Sequence, residues 1–253
     1  MHILVPVKRV VDPYVRVRLL ADGSGVDTRG LKMSMNPFDE VALEQALRLR
    51  TAGVARKVTV LSCGDAAVHD VLRTGLALGA DAAVQVDTGG QALDPLGIAR
   101  LLAAVVRRED VGLVLCGKQA IDDDLGATGP MLAALLDWPQ ALSVHALAVK
   151  GTTLELSCDG DRGVERLAVE LPAVLAADLR LAEPRAITLP AMMKAKKAPI
   201  AVLPAAELAE AGPAPDRLLA AGEPPARPTG QRVPDVATLI EQLRRLPALA
   251  TPA

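Results

Sequence analysis

The stretch that decides the fold runs VGLVLC-GKQAIDDDLGA-TGPMLAALL, from Val111 to Leu136. Its first six residues are almost wholly apolar, and their number suits a strand that is buried on both faces. A polar loop with three adjacent aspartates follows, and residues 128–136 then have the composition of a helix that Trp138-Pro139 ends. A strand, a short loop and a helix in this order are the repeating unit of a parallel α/β sheet.

The same unit recurs toward the amino terminus. Strands are predicted at residues 2–7, 57–62, 82–86 and 111–116, and helices at residues 36–49, 66–78, 95–107 and 128–136. This alternation predicts a doubly wound parallel sheet with right-handed crossovers. Because ligands of such sheets bind beyond the carboxyl ends of the strands, we expect the site in the loops after the first, second and fourth strands.

The pattern changes after residue 140. Antiparallel strands are predicted at residues 141–149, 152–158 and 165–171, a strand that returns to the sheet at 172–178, and an exposed hairpin arm near residues 15–19. Beyond Arg180 the chain is rich in Pro, Ala and charge, and only residues 235–246 have a helical period. Such a long tail buries little of itself, so we expect it to lie on a partner.

Composition excludes several functional classes. Only Phe38, Tyr14 and Trp138 are aromatic, the net charge is -2, and the pI is near 6.0, which argues against nucleic-acid or anionic-membrane binding. The three cysteines form no CxxC motif, so neither a zinc cluster nor a dithiol centre is indicated. No apolar run approaches the roughly 20 residues needed to cross a bilayer, and no signal peptide is evident, so we expect a cytoplasmic protein.

The loop of residues 117–128 has three interpretations. Its adjacent aspartates would suit a metal poorly, because metal sites draw on spaced ligands. Backbone N–H groups around Gly126 and Thr128 would cradle a phosphate at the start of a helix, and the third interpretation is a solvated surface loop. The usual dinucleotide and triphosphate fingerprints are absent, and no histidine is placed beside a nucleophile, so a hydrolase is not supported.

The segment LPAMMKAKK, residues 189–197, has two interpretations. It is either the start of an amphipathic helix with solvated lysines, or a docking element. In the second case Leu189 and the methionines give adaptable apolar contact, and the lysines steer an acidic partner surface.

A series of motifs in order resembles the β subunit of electron-transfer flavoproteins over nearly the whole chain. The motifs are VKRVVD at residues 7–12, SMNPF at 34–38, SCG at 62–64, GKQAIDDD at 117–124, WPQ at 138–140, LPAV at 171–174, DLRL at 178–181, EPR at 183–185 and LPAMMKAKK at 189–197. The resemblance implies a Rossmann-like domain that pairs with an α subunit. That α subunit would hold most of a redox-active FAD, and the β subunit would hold a structural, redox-inert AMP.

By position, the resemblance implies a set of AMP-binding residues. They are Pro6, Asn36, Pro37, Phe38, Asp39, Cys63, Gly117, Lys118, Gln119, Ala120, Ile121, Asp122, Asp123, Asp124, Leu125, Gly126, Ala127 and Thr128. Here the loop lacks two side-chain amides that the family usually has after the aspartates, so nucleotide contact there falls to backbone groups.

Pro13 stands where the family often has an aromatic residue, which leaves Tyr14 or Phe38 near the flavin. A related branch binds a second FAD and bifurcates electrons, but Ile121 makes this loop bulkier and favours AMP.

The resemblance also implies partners. The partner-docking segment would consist of Leu189, Pro190, Met192, Met193, Lys194 and Lys197. Leu189 would be its anchor, and the two lysines stand at positions that are methylated in some relatives. The expected division is a nucleotide-binding domain at residues 1–183, a recognition loop at 184–200 and an extension on the α subunit at 201–253. The dimer would take electrons from acyl-CoA or related flavin dehydrogenases and pass them to a quinone oxidoreductase, without bond-making catalysis of its own. The rival from another class is a nucleotide-binding regulatory module.

Overall fold

The computed structural model describes residues 1–208, 218–227 and 229–246. The strands of the main sheet are β1 (His2–Pro6), β6 (Lys57–Cys63), β7 (Ala82–Asp87), β8 (Val111–Gly117), β9 (Gln140–Lys150), β10 (Thr153–Gly160), β11 (Gly163–Glu170), β12 (Ala173–Ala177) and β13 (Ala201–Pro204). The short strands of the arm are β2 (Arg9–Val11), β3 (Arg18–Leu19), β4 (Val26–Asp27) and β5 (Met33–Met35). The helices are α1 (Pro37–Thr51), α2 (His69–Leu78), α3 (Pro95–Arg108), α4 (Thr128–Leu136), α5 (Leu189–Lys197) and α6 (Val236–Arg244).

The main sheet confirms the predicted α/β class. Its order is β11-β10-β9-β12-β8-β1-β6-β7-β13. The segment from β12 to β13 is parallel, with Ile3 of β1 paired to Val58 on one side and to Leu113 on the other. The chain winds outward from β1 in both directions, so the topological switch point lies between β1 and β8, where doubly wound sheets form their ligand crevice.

Helices cover both faces of the sheet. Leu43 and Leu47 of α1, with Leu72 of α2, pack against one face, while Leu102 of α3 and Leu132 of α4 pack against the other. Each face therefore has its own apolar core, built from Leu, Val and Ala because aromatic residues are nearly absent. Both cores leave the carboxyl ends of the parallel strands open at one edge.

The antiparallel extension and the hairpin arm also follow the prediction. Strands β9, β10 and β11 form successive antiparallel pairs, and β12 returns beside β8 in parallel. In the arm, β3 pairs with β4 across a turn at residues 20–25, and β2 pairs with β5. The arm carries Tyr14 away from the core, with 96% of the residue exposed.

One segment near the carboxyl terminus differs from expectation. Residues 201–204, expected to lie in the extension on the partner, form β13 and pair with β7, so they complete this chain's own sheet. Residues 189–197 form helix α5, as one of the two interpretations of this segment expected. The Thr188 hydroxyl accepts a hydrogen bond from the N–H of Ala191 at 3.4 Å and caps the first turn. The parts of the extension at residues 209–217, 228 and 247–253 lie outside the described residues. Within the described ranges, no helix combines the length and the apolar character that a bilayer crossing requires.

Candidate functional site

A cavity of about 300 Å³ opens at the switch point. Pro6, Cys63 and Gly117, at or next to the carboxyl ends of β1, β6 and β8, line it together with the start of helix α4. Its position is the one that the strand pattern predicted. The convergence of three parallel strand ends makes it a natural small-molecule site.

Asp39, in the first turn of α1, joins two of these strand ends. Its carboxylate accepts hydrogen bonds from the backbone N–H of Lys8 at 2.8 Å and of Gly117 at 3.2 Å. The residue is buried, and burial raises the pKa of Asp39 to about 7 against the opposing effect of these hydrogen bonds. Asp39 therefore fixes the mouth of the cavity and carries a charge that depends on pH near neutrality.

Asn36 fastens the loop of residues 117–127 to the domain. It is buried at the N-terminus of α1, yet its side chain does not cap that helix. Instead its amide nitrogen donates to the carbonyl of Gln119 at 2.8 Å, and its amide oxygen accepts from the N–H of Ile121 at 3.3 Å. The amide thus makes one donated and one accepted hydrogen bond to the backbone of the loop, and these two contacts fix the position of the loop beside the cavity.

Lys8 closes the other side of the same loop. Its ammonium group lies 2.7 Å from the Asp122 carboxylate and 2.8 Å from that of Asp123. Although partial burial acts to lower the pKa of Lys8, the two carboxylates outweigh it and raise the pKa above its usual value. Two of the three adjacent aspartates therefore form ion pairs that hold the loop to Lys8. No cluster of three or more metal-ligating side chains occurs within the described residues.

The N-terminus of helix α4 faces the cavity. Ala127, Thr128 and Gly129 line it, and Ala127 has no side-chain oxygen to cap the first turn. Gly126 has a φ of +58°, which brings the backbone into the turn before the helix. The first N–H groups of the helix are thus left for an anion, which the positive end of the helix dipole also favours.

The opposite wall of the cavity is apolar, and the sequence interpretation missed it. It comes from the loop after β7 and from helix α3, through residues that include Leu93, Pro95, Ile98 and Leu102. The signal was available, because β7 is parallel to its neighbours and its carboxyl end must open at the same edge. The predicted cap of α3 is confirmed, since Asp94 accepts from the N–H of Gly97 at 2.7 Å.

The two thiols that line the cavity have low reactivity. Cys63 and Cys116 both line it, and burial raises the pKa of each thiol to about 12. A thiol with such a pKa is protonated at neutral pH and is a poor nucleophile. Neither thiol is therefore activated as a nucleophile at neutral pH.

The structure brings together most of the residues predicted to contact a nucleotide. Those that line the cavity are Pro6, Asn36, Asp39, Cys63, Gly117, Lys118, Gln119, Ala120, Asp123, Leu125, Gly126, Ala127 and Thr128. Those outside its lining are Pro37, Phe38, Ile121, Asp122 and Asp124. Three further lining residues, Val7, Lys8 and Gly64, lie in the loops that the strand pattern selected, after the first and second strands. Lining residues that the sequence interpretation did not name include Leu61, Thr88, Gln91, Ala92, Cys116 and Gly129.

The predicted docking segment is a separate exposed surface. In α5, Leu189 has 71% of its surface exposed, and Met192 and Met193 are also exposed. Pro190, Lys194 and Lys197 are exposed as well. Helix α5 packs on α2, so the two predicted surfaces belong to one compact unit without sharing residues.

Comparison with known proteins decides the family. The profile described as "Electron transfer flavoprotein domain" matches residues 24–208. The electron transfer flavoprotein subunit beta of Bradyrhizobium diazoefficiens is 47% identical over 244 residues, which cover 96% of this chain and 98% of the relative. This chain belongs to the electron transfer flavoprotein β-subunit family. The Homo sapiens subunit beta is 42% identical over 249 residues, covering 97% and 98%, and the mitochondrial subunit of Arabidopsis thaliana is 46% identical over 248 residues, covering 96% and 98%.

Membership confirms the resemblance that the motifs indicated. It places the chain among flavoproteins of electron transport, a family of electron carriers rather than catalysts. The printed names of the relatives describe them as β subunits, which implies an α partner for those proteins.

Proposed function

We propose that this chain is the β subunit of an αβ electron carrier and that its cavity holds AMP. The observation that carries the proposal is the cavity at the switch point, in a chain whose family is electron transfer flavoprotein. AMP is redox-inert, so its contribution would be to order the strand-end loops. The FAD would be held mainly by the α subunit, and no residue of this chain would make or break a bond.

The cavity residues fit AMP in three ways. Its volume of about 300 Å³ lies at the small end of ligand pockets, which suits a mononucleotide better than a second FAD. The uncapped first turn of α4 at Thr128 and Gly129 offers backbone donors to a phosphate. The apolar wall at Leu93, Ile98 and Leu102 offers a surface for a base.

The hairpin arm and the first turn of α1 each supply one candidate for contact with the flavin. Tyr14 projects from the arm almost fully exposed, as expected of a residue whose partner surface belongs to another subunit. Phe38 lies close to the strand end at Gly117, at the N-terminus of α1. We propose that these two aromatic residues form this chain's wall near the FAD.

Helix α5 and the carboxyl-terminal helix are the proposed partner surfaces. Leu189, Met192 and Met193 would enter an apolar recess of a flavin-dependent dehydrogenase, such as an acyl-CoA dehydrogenase, and Lys194 and Lys197 would attract its acidic rim. The electrons would pass on to a quinone oxidoreductase. The extension after residue 204 would lie on the α subunit.

Nucleotide analysis tests this function. The chain is co-expressed with its α-type subunit, the purified complex is denatured, and the released nucleotides are identified. One FAD and one AMP per dimer is the expected result. Two FAD molecules would replace the proposal with the bifurcating type, and failure to pair with any flavoprotein subunit would leave the regulatory module as the better reading.

The docking assignment has its own test. In Leu189→Ala, we expect slower electron transfer from an acyl-CoA dehydrogenase reduced by its substrate, because the exposed anchor is truncated. The FAD content should not change, since Leu189 lies outside the cavity. Val202→Ala, which truncates another exposed apolar side chain in β13, is the control. Transfer at the normal rate in Leu189→Ala would remove the anchor assignment.

A further inference from the structure

Helix α5 buries very little of itself. It has nine residues, and only Ala195 among them is buried. Isolated helices of this length are marginal in water, and helices in proteins draw most of their stability from a packed apolar face. A docking helix that presents its apolar side chains to solvent therefore needs another source of order.

Arg73 provides such an anchor from outside the segment. It lies on α2, and its Nη1 donates to the carbonyl oxygens of Ala195 and Lys196, both at 2.8 Å, and reaches that of Ala198 at 3.5 Å. These oxygens belong to the last turn of α5 and to the residue just after it. The Ala195 carbonyl also accepts from the N–H of Ala198 at 3.2 Å, and Arg73 supplies a side-chain donor to this helix end, where carbonyls commonly lack full intrahelical pairing. One guanidinium thus holds the whole carboxyl-terminal end of α5 against α2.

The role of Arg73 is geometric rather than a matter of charge balance. The last turn of α5 already carries Lys194, Lys196 and Lys197, which complement the negative end of the helix dipole. The positive charge of Arg73 is repelled by these lysines, so its hydrogen bonds to the carbonyl groups must outweigh that repulsion. All three contacts come from one nitrogen, Nη1, whose N–H groups lie in the rigid plane of the guanidinium, so their direction toward the carbonyl groups is fixed.

The amino-terminal approach to α5 is held in a comparable way. Arg185 forms a bidentate pair with Glu44 of α1, with its Nε at 2.6 Å and its Nη2 at 3.1 Å from the carboxylate oxygens. Burial of Glu44 opposes ionisation, but the hydrogen bonds from Arg185 and Arg48 lower the pKa of Glu44 below its usual value. The chain after α5 is held as well, because β13 pairs with β7. Arg73 fixes the last turn of α5 between these two attachments.

We propose that Arg73 is a positioning residue for partner docking, which acts through α5 and sets the direction in which Leu189, Met192 and Met193 point. This inference rests on the proposed docking role of α5. Arg73 lies more than a hundred residues from that segment in sequence, so only the tertiary structure connects the two. Removing its side chain would let α5 sample other orientations, and the partner would bind only a fraction of them.

The test uses the αβ complex with Arg73→Gln and Arg73→Lys. With an acyl-CoA dehydrogenase reduced by octanoyl-CoA, we expect Arg73→Gln to raise the KM for the complex about tenfold with little change in kcat, because fewer molecules present a competent helix. Arg73→Lys should be intermediate, since an ammonium keeps the charge and can still donate to the carbonyl groups but lacks the rigid planar geometry. Hydrogen exchange of the α5 amides should become faster in the same order.

The matched control is Arg107→Gln. Arg107 lies on α3 and donates to the carbonyl of Leu135 at the end of α4, so it makes the same kind of helix-end contact away from α5. We expect it to leave both the KM and the α5 exchange unchanged. An equal rise of KM in Arg107→Gln would overturn the inference in favour of general destabilisation.

The remaining outcomes separate this inference from the proposed function. If Leu189→Ala raises the KM and Arg73→Gln leaves the KM and α5 exchange unchanged, the positioning role is wrong and the docking role stands. If Arg73→Gln accelerates α5 exchange while neither variant changes the KM, Arg73 anchors a helix that does not dock, and both proposals fail as statements about electron transfer.

Discussion

At the scale of single residues, the site depends on one glycine and one carboxylate. A Cβ at Gly117 would lie 2.8 Å from the Cβ of Phe38 and 2.9 Å from the backbone nitrogen of Asp39, and it would also collide with the Asp39 carboxylate. Two of these atoms belong to backbone or to the root of a side chain, so they have no room to move aside. Gly117 therefore permits β8 and the start of α1 to meet at the mouth of the cavity.

The first prediction concerns Gly117→Ala. The added methyl group should push the first turn of α1 away from β8, lower the free energy of unfolding by about 1–3 kcal/mol, and reduce the AMP released from the purified complex. Gly222→Ala is the control, because a Cβ there meets no atom within 4 Å. Unchanged AMP content and stability in Gly117→Ala would show that this close approach is not needed.

The second prediction concerns the pH dependence that Asp39 creates. Because burial raises the pKa of Asp39 from 3.8 to about 7, the folded state binds more protons than the unfolded state between these pH values. Its contribution to the free energy of unfolding therefore becomes less favourable as pH rises from about 4 to about 7.

Asp39→Asn removes this titration. Relative to the variant, the wild-type complex should lose stability on going from pH 5 to pH 8, by up to about 2.5 kcal/mol, as measured by denaturant unfolding at each pH. The carboxylates whose pKa is lowered, such as Glu44 and Asp81, are present in both proteins and cancel in the difference. A constant difference between the two proteins across this range would contradict the assignment.

At the scale of elements, the loop of residues 117–127 is held by groups from two other parts of the chain. The Asn36 amide holds its backbone at Gln119 and Ile121, and Lys8 holds Asp122 and Asp123. The Asn36 contacts are buried and the Lys8 pairs are half-exposed, so the amide should contribute more to order. The loop is thus ordered by tertiary contacts and not by a regular structure of its own.

The third prediction follows for Asn36→Ala. Loss of both amide contacts should accelerate hydrogen exchange across residues 119–125, lower the free energy of unfolding by about 1–3 kcal/mol, and weaken AMP retention. The matched control is Ser34→Ala in neighbouring β5, since the buried Ser34 hydroxyl finds no hydrogen-bond partner among the described residues. If the exchange of the loop amides is the same in Asn36→Ala and the wild type, the amide does not hold the loop.

At the scale of the whole molecule, the described chain leaves an apolar helix face without a partner. In α6, Val236, Leu239, Ile240 and Leu243 are exposed and recur at helical spacing on one side. Asp235 caps this helix by accepting from the N–H of Thr238 at 2.7 Å, so the helix is well defined at its start. Because a lone apolar stripe is unfavourable in water, we propose that it packs against the α subunit.

The fourth prediction concerns that interface. Ile240→Asp with Leu243→Asp should reduce the yield of αβ complex on co-expression, because two carboxylates would be buried without partners. The control Arg245→Asp places a carboxylate just after α6 on its opposite, polar side, where Arg245 pairs with Glu241. Normal recovery of the complex with the double variant, measured by size-exclusion chromatography, would remove α6 from the interface.

The parallel core could be predicted from sequence because each of its elements carries its own signal. The apolar run that became β8 and the Asp94-Pro95 start of α3 are local patterns, and the structure reproduces them within a residue. Strand β13 carried no such signal: three of its four residues are exposed, and it forms only because β7 offers an unpaired edge. The apolar wall after β7 was missed for a different reason, since the strand-end rule was applied to its neighbours only.

By itself, the sequence determined the α/β class, the order of the parallel units, the family and the edge of the sheet at which a ligand would bind. These follow from periodicity and from motifs that are contiguous in the chain. Only the tertiary structure decided that Asn36 secures the loop at Gln119, that Asp39 joins Lys8 to Gly117, and that Arg73 holds α5. Each of these contacts joins residues 31 to 122 positions apart. Such pairs arise from the packing of whole elements, which no local pattern encodes.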